Sequence, residues 1–155
     1  MPASVEAAVQ IRHPGTAMEF QADPIEGNLV YIEDHPLNAL LIQHWAALHS
    51  KLDVTIAVSG AAGLTCFETM APDVVLLDMQ LPDLDGLEVL RRLRQLPSYR
   101  DQPIAIFTAA VAQEDKKRAF AAGASAYWAK PVDFMAFTKD LAALMPASRN
   151  HRVQR

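Results

Sequence analysis

The chain has 155 residues, of which 51% are hydrophobic, enough for the core of one ordinary domain. Its 14 basic and 18 acidic residues give a net charge of −4, which argues against a nucleic-acid-binding protein, because such proteins carry an excess of positive charge. No apolar run is long enough to span a membrane, the N-terminus lacks a signal-peptide pattern, and the single cysteine, Cys66, excludes an internal disulfide. We therefore expect a cytoplasmic protein that binds neither nucleic acid nor membrane.

The first regular pattern begins at residue 28. Residues 1–27 contain several prolines and glycines without a sustained period, which predicts a tail or linker. The apolar run at 28–34, "NLVYIED", predicts a strand that ends in two acids. A helix is predicted over 36–50, because its apolar residues follow the i, i+3, i+4, i+7 spacing of one packed face. The predicted face consists of Leu37, Leu40, Leu41, His44, Trp45 and Leu48.

Four further strand and helix pairs follow along the chain. The predicted strands cover residues 53–59, 73–78, 103–110 and 125–130. The predicted helices cover residues 61–71, 84–96, 113–124 and 133–145, followed by a short tail over 146–155. The strands are near-continuous apolar runs, typical of strands that are covered on both faces. Alternating units of this kind predict an α/β fold with a doubly wound parallel sheet, since a closed eightfold barrel needs about 250 residues.

Some polar residues of this pattern have structural explanations. Asp83 and Asp85 lie in the loop before the helix at 84–96, where aspartate is a good N-cap. Gly86 is expected to allow close packing at the start of that helix. The basic run "RRLR" at 91–94 is expected to lie on an exposed helix face.

Polar residues follow four of the five predicted strands at their carboxyl ends. They are Glu33 and Asp34, Asp78, Thr108, and Lys130. Parallel strands bring these ends to one edge of the sheet, where ligands of open α/β sheets bind. Three carboxylates at one edge repel one another and need a cation beyond the single lysine. A Mg²⁺ ion suits such oxygen ligands, and with a lysine, a hydroxyl and an aspartate nucleophile it would suit phosphoryl transfer.

The chain also resembles a known family through four motifs in their usual order. The motifs are "YIEDHPLN", "VVLLDMQLPDLDGLEVLRRLR", "IAIFTAA" and "YWAKPVD". They resemble the receiver (phosphoacceptor) domain of two-component response regulators, chemotaxis regulators among them, over about residues 28–145. The resemblance implies a flavodoxin-like sheet of five parallel strands in the order 2-1-3-4-5, with helices on both faces. Residues 1–27 would then be a tail or linker and 146–155 a short C-terminal tail.

The resemblance also implies a role for each site residue. Asp78 would accept the phosphoryl group, and Lys130 and Thr108 would hold it. Thr108 would act as a switch with Tyr127, an aromatic side chain that follows its movement. The metal would be Mg²⁺, bound by Asp34, by Asp78 and by the backbone carbonyl of Gln80, with Glu33 acting indirectly. The bond between Lys130 and Pro131 would be cis, as is usual in the family.

The expected partners are proteins. A histidine kinase or histidine phosphotransfer protein would supply the phosphoryl group, and a downstream protein effector would read the surface of the fourth helix, fifth strand and fifth helix. A homodimer through that surface stays open. We expect a phosphoacceptor switch that catalyses only its own phosphorylation and dephosphorylation, rather than an enzyme that turns over a metabolite. The sequence leaves open whether the receiver is a stand-alone protein or part of a hybrid kinase.

Two alternatives belong to other classes. A receiver-like module that binds partners without phosphorylation would share the fold, but it is expected to lack Asp34, Asp78 or Lys130, and all three are present. A phosphatase with an aspartyl-phosphate intermediate normally needs a second aspartate two residues after the nucleophile. That position is Gln80, which cannot act as the general acid.

Overall fold

The computed structural model of the protein describes residues 24–145. Most of the predicted N-terminal segment and the predicted C-terminal tail therefore lie outside the described residues. The first strand begins at Glu26, so regular structure starts two residues before the predicted boundary at residue 28. Within residues 24–145, no helix is long and apolar enough to cross a membrane.

Five strands alternate with five helices along the chain, as predicted. The strands are β1 (Glu26–Ile32), β2 (Lys51–Ala57), β3 (Val74–Leu77), β4 (Ile104–Thr108) and β5 (Ala126–Ala129). The helices are α1 (Pro36–His49), α2 (Gly60–Thr69), α3 (Gly86–Gln95), α4 (Gln113–Ala121) and α5 (Phe134–Leu144). A short 3-10 turn at Pro97–Tyr99, which the sequence pattern did not predict, follows α3.

The strands form one parallel sheet in the order β2-β1-β3-β4-β5, which confirms the predicted topology. The central strand β3 is completely buried, because helices cover both faces of the sheet. Helices α2, α3 and α4 pack on one face, and α1 and α5 pack on the other. All five strands therefore end at the same edge, and the loops that follow them surround one cleft.

The buried face of α1 differs from the predicted one. Its buried residues are Ala39, Ile42, Trp45 and Ala46. Of the predicted face only Trp45 is buried, whereas Leu37, Leu40, Leu41 and Leu48 are each more than half exposed. The helix is apolar on two sides, so the leucine spacing indicated a real stripe but not the one that contacts the sheet. Trp45 anchors α1 to α5, because its indole N–H donates to the Thr138 hydroxyl at 2.9 Å and its ring packs on Phe137.

Arg94 also departs from its predicted place on an exposed face. Its guanidinium donates to the backbone carbonyls of Tyr99 and Gln102, each at 2.6 Å, and to that of Gly123 at 2.9 Å. Gly123 follows α4 with a φ of +106°, a conformation that favours glycine. Arg94 thus joins the end of α3 to the loops before β4 and β5.

Candidate functional site

The predicted site residues do meet at one edge of the sheet. Asp78 directly follows β3, and its N–H donates to the Ile32 carbonyl at 3.1 Å, so the β1–β3 pairing continues to the acid. The N–H of Lys130 donates to the Thr108 carbonyl at 2.9 Å in the same way. Because these bonds continue the sheet, the positions of Asp78 and Lys130 are fixed by the backbone.

Three carboxylates form a cluster in this cleft. Oxygen atoms of Glu33, Asp34 and Asp78 all lie within 4.8 Å of one another. Glu33 and Asp78 are buried, and Asp34 is exposed, so the cluster opens to solvent on one side. Carboxylate oxygens are the ligands that Mg²⁺ prefers, and an ion bound here would face solvent through its remaining positions. The donor set therefore fits a hard divalent cation.

Lys130 is the basic side chain that contacts this cluster. Its Nζ lies 2.5 Å from Glu33 Oε2 and 3.3 Å from Asp78 Oδ2. The same nitrogen lies 5.9 Å from the ring centre of Tyr31 and 5.3 Å from that of Phe107. One lysine against three carboxylates leaves an excess of two negative charges, if all four groups are ionised. That excess matches the charge of a divalent cation.

The two buried carboxylates differ in their electrostatic environment. Burial raises the pKa of Asp78, and the nearby Glu33 carboxylate adds to this rise, although the Gln80 N–H and Lys130 oppose it. Burial would also raise the pKa of Glu33, but the close contact with Lys130 and the Tyr31 hydroxyl outweighs it, and the pKa is lowered. Glu33 is therefore the better compensated anion. Of these two, Asp78 is the carboxylate that would gain more from an added positive charge.

Thr108 and Gln80 flank Asp78. The Gln80 N–H donates to Asp78 Oδ1 at 3.1 Å, which orients the carboxylate. Thr108 is completely buried at the end of β4, and its hydroxyl accepts a hydrogen bond from the Ala110 N–H at 3.4 Å. The structure thus places Gln80 in contact with the acid and Thr108 at the end of the strand next to β3, while metal binding by the Gln80 carbonyl stays a prediction.

Tyr127 lies beside the loop that follows Thr108. Its hydroxyl donates to the Ala110 carbonyl at 2.5 Å, so the ring and the β4–α4 loop are directly connected. Burial raises the pKa of Tyr127, and the negative charges of Asp115 and Asp78 add to the rise. The bond between Lys130 and Pro131 is cis, as predicted. The two residues of the predicted switch, Thr108 and Tyr127, therefore both form hydrogen bonds with the backbone of Ala110 in the β4–α4 loop.

The aspartates beyond Asp78 are caps, but of two different helices. Asp85 accepts from the Leu87 N–H at 3.0 Å and caps α3, as predicted. Asp83 instead accepts from the N–H groups of Gly60 and Ala61, at 2.8 and 2.9 Å, and so caps α2. The prediction for Asp83 was therefore right about the capping role and wrong about the helix.

The sequence reasoning missed Tyr31. Its hydroxyl donates to Glu33 Oε2 at 2.9 Å, and the side chain is completely buried. A signal was available, because side chains two residues apart on a strand lie on the same face. Asn38 was also missed; its side-chain amide donates to Glu33 Oε1 at 3.3 Å.

Comparisons with known proteins agree with this geometry. A family model described as the response regulator receiver domain matches residues 29–142. The transcriptional regulatory protein TrcR of Mycobacterium tuberculosis is 33% identical over 129 residues, which cover 83% of this chain and 49% of that protein. The positive alginate biosynthesis regulatory protein of Pseudomonas aeruginosa is 36% identical over 133 residues, which cover 82% of this chain and 49% of that protein. The chain thus spans about half the length of these two curated relatives.

Solved structures share the fold. The receiver domain of sensor histidine kinase PA1611 from Pseudomonas aeruginosa, which has a magnesium ion in its active site cleft, is 28% identical with a TM-score of 0.70. That comparison covers 77% of this chain and 98% of the solved chain. Chemotaxis protein CheY4 of Vibrio cholerae has the same fold, with a TM-score of 0.73 at 21% identity, over 78% of this chain and all of that one. With the family match over residues 29–142, the chain belongs to the response regulator receiver domain family.

Proposed function

We propose that this receiver accepts a phosphoryl group on Asp78 in a Mg²⁺-dependent reaction with a histidine kinase or histidine phosphotransfer protein. The convergence of the Glu33, Asp34 and Asp78 carboxylates within 4.8 Å of one another, beside the Lys130 ammonium, is the observation that carries this proposal. The receiver domain would correspond to residues 28–145, with residues 1–27 as a tail or linker and 146–155 as a C-terminal tail.

The metal would be held by Asp34, by Asp78 and by the backbone carbonyl of Gln80. Glu33 would act indirectly, because the Lys130 ammonium and the Tyr31 hydroxyl already contact one of its oxygens. When bound, Mg²⁺ supplies positive charge that neutralises the oxygens of the phosphoryl group. The excess of acidic over basic groups in the cleft supports this assignment.

Asp78 would act as the nucleophile. One carboxylate oxygen attacks the phosphorus of a phosphohistidine in line with the bond to the ring nitrogen. A phosphorus–oxygen bond forms, the phosphorus–nitrogen bond breaks, and the electron pair returns to the imidazole of the donor. Lys130 and Thr108 would hold the oxygens of the transferred group, since Lys130 already lies 3.3 Å from Asp78 and Thr108 ends the neighbouring strand.

The switch would begin at Thr108. Movement of its hydroxyl toward the phosphoryl group would shift the loop at Ala110, whose carbonyl accepts the hydrogen bond of the Tyr127 hydroxyl. Tyr127 would follow and remodel the surface formed by α4, β5 and α5. A downstream protein effector, or a second copy of the chain, would read that surface. The domain would thus act as a phosphoacceptor switch and not as a turnover enzyme.

Intact-mass spectrometry after incubation with acetyl phosphate and Mg²⁺ tests this function. The expected result is a mass gain of one phosphoryl group, which disappears on chelation of Mg²⁺ and in Asp78→Asn. Asp85→Asn is the matched control, because asparagine also caps helices and the variant should be labelled normally. If the protein is not labelled under conditions that label another receiver, the domain is a phosphorylation-independent binding module, and the proposal is wrong.

A further inference from the structure

Tyr31 and Lys130 contact the same oxygen atom. The Tyr31 hydroxyl donates to Glu33 Oε2 at 2.9 Å, and Lys130 Nζ lies 2.5 Å from that oxygen. Tyr31 has no solvent exposure and Glu33 only 1%, so water cannot easily replace either donor. Glu33 Oε2 is therefore satisfied by one neutral and one charged donor at the same time.

The other oxygen of Glu33 has separate donors. Glu33 Oε1 accepts from the His35 N–H at 3.1 Å and from the Asn38 amide at 3.3 Å. Among the described residues, Tyr31 is thus the donor that stays on Oε2 if Lys130 turns away. A buried carboxylate oxygen that loses its donors destabilises the state in which this happens.

A closer approach of Lys130 to a phosphoryl group on Asp78 would involve such a turn. Lys130 lies closer to Glu33 than to Asp78, by 2.5 against 3.3 Å, so its ammonium is held mainly by Glu33. If Lys130 moves closer to a phosphoryl group on Asp78, its contact with Glu33 lengthens. The hydrogen bond from Tyr31 lowers the cost of this step, because Glu33 Oε2 keeps one donor.

We propose that Tyr31 is a positioning residue of the phosphorylation reaction, which acts by holding Glu33 while Lys130 moves to the phosphoryl group. This inference rests on the proposed function of Asp78. The aromatic ring contributes as well, since it packs on Phe107 with a centroid distance of 5.7 Å and helps to enclose the Lys130 ammonium. The hydroxyl is the part that can be removed without loss of this packing.

The test is the rate of Asp78 phosphorylation by acetyl phosphate at saturating Mg²⁺ in Tyr31→Phe. Loss of one hydrogen bond to a charged group predicts a rate about tenfold lower. Tyr99→Phe is the matched control, because the hydroxyl of Tyr99 is also buried and donates to the Met70 carbonyl at 2.7 Å on the opposite face of the sheet. We expect Tyr99→Phe to phosphorylate at the wild-type rate.

A double-mutant cycle separates positioning from a general loss of stability. If Tyr31 acts through the charge of Glu33, Tyr31→Phe should change the rate less than twofold in a Glu33→Gln background. If Tyr31→Phe lowered the rate equally in both backgrounds, or if its rate equalled that of the wild type, the inference about Tyr31 would be overturned. The proposed function of Asp78 would not be affected by this outcome. No labelling of the wild-type protein would overturn the proposed function, and with it the role of Tyr31.

Discussion

Gly86 packs directly against the backbone of Asp78. A Cβ atom added at residue 86 would lie 2.3 Å from the Asp78 carbonyl oxygen and 2.6 Å from the Cα of Met79. The N–H of Gly86 also donates to the Met79 carbonyl at 3.0 Å. The first residue of α3 thus packs closely on the backbone of the proposed phosphoacceptor. Only a residue without a side chain can approach this backbone so closely.

Gly86→Ala should therefore disturb the site as well as the fold. The backbone at Asp78 must shift, which predicts a loss of about 1–3 kcal/mol in the free energy of unfolding and at least a roughly tenfold lower phosphorylation rate. Gly60→Ala is the matched control, because Gly60 also begins a helix but an added Cβ would meet the side chains of Leu84 and Val89 at 3.0–3.1 Å. Denaturant unfolding and acetyl phosphate labelling measure both effects. Equal losses of rate in the two variants would contradict this interpretation.

Asp83 should make the stability of the protein depend on acidic pH. The N–H groups of Ala61 and Gly60 lower the pKa of Asp83 in the folded state. Its stabilising effect is therefore present at neutral pH and is lost as the pH falls through the folded pKa, because the unfolded chain takes up the proton first. At pH 7 we expect the Tm of the wild type to be higher than that of Asp83→Asn. We expect this difference in Tm to shrink below about pH 4. A difference that is constant between pH 7 and pH 3 would exclude this linkage.

The corrected orientation of α1 predicts a large effect for one apolar residue of this helix and a small effect for another. Ile42 is 1% exposed, and Ile42→Ala should lower the free energy of unfolding by about 2–5 kcal/mol. Leu48 is 69% exposed, and Leu48→Gln should change it by less than about 0.5 kcal/mol. Urea unfolding of both variants checks the pair. A large loss for Leu48→Gln would mean that the leucine stripe is buried in solution.

Arg94 should stabilise the fold more than its neighbour Arg92. Arg94→Met removes charged hydrogen bonds to four backbone carbonyls, that of Arg100 among them, and should cost about 2–3 kcal/mol. Arg92 makes an exposed ion pair with Glu88 at 3.0 Å, and Arg92→Met should cost less than about 0.5 kcal/mol. Similar unfolding midpoints for the two variants would show that the Arg94 contacts contribute little.

Much of the fold could be predicted from local pattern. The run "VVLL" at β3 and the run "IAIF" at β4 are apolar throughout, and each lies between helical segments, which predicts buried parallel strands. Asp78 and Lys130 follow such strands, so the topology alone places them at one edge. Local sequence carries this information because strand burial and strand ends are properties of single elements.

What could not be predicted depends on contacts between distant elements. Asp83 caps α2 because the loop after β3 folds back to Gly60, and no spacing within either segment indicates this. The inner face of α1 was predicted wrongly, because leucines and smaller apolar residues gave two helical stripes and only tertiary packing selects between them. The hydroxyl of Tyr31 lies on the same strand face as Glu33. That it shares Glu33 Oε2 with Lys130 could not be predicted, because Lys130 follows β5, far away in sequence.

The proposed role of Asp78 as the phosphoacceptor is tested most directly by locating the phosphoryl group. Protein labelled with acetyl phosphate and Mg²⁺ is reduced with borohydride, which converts a phosphorylated aspartate to homoserine, and the digested peptides are sequenced by mass spectrometry. Homoserine is expected at residue 78, and none in Asp78→Asn or after chelation of Mg²⁺. Reduction at Asp34 or another carboxylate, with residue 78 unchanged, would contradict the assignment of Asp78 as the phosphoacceptor.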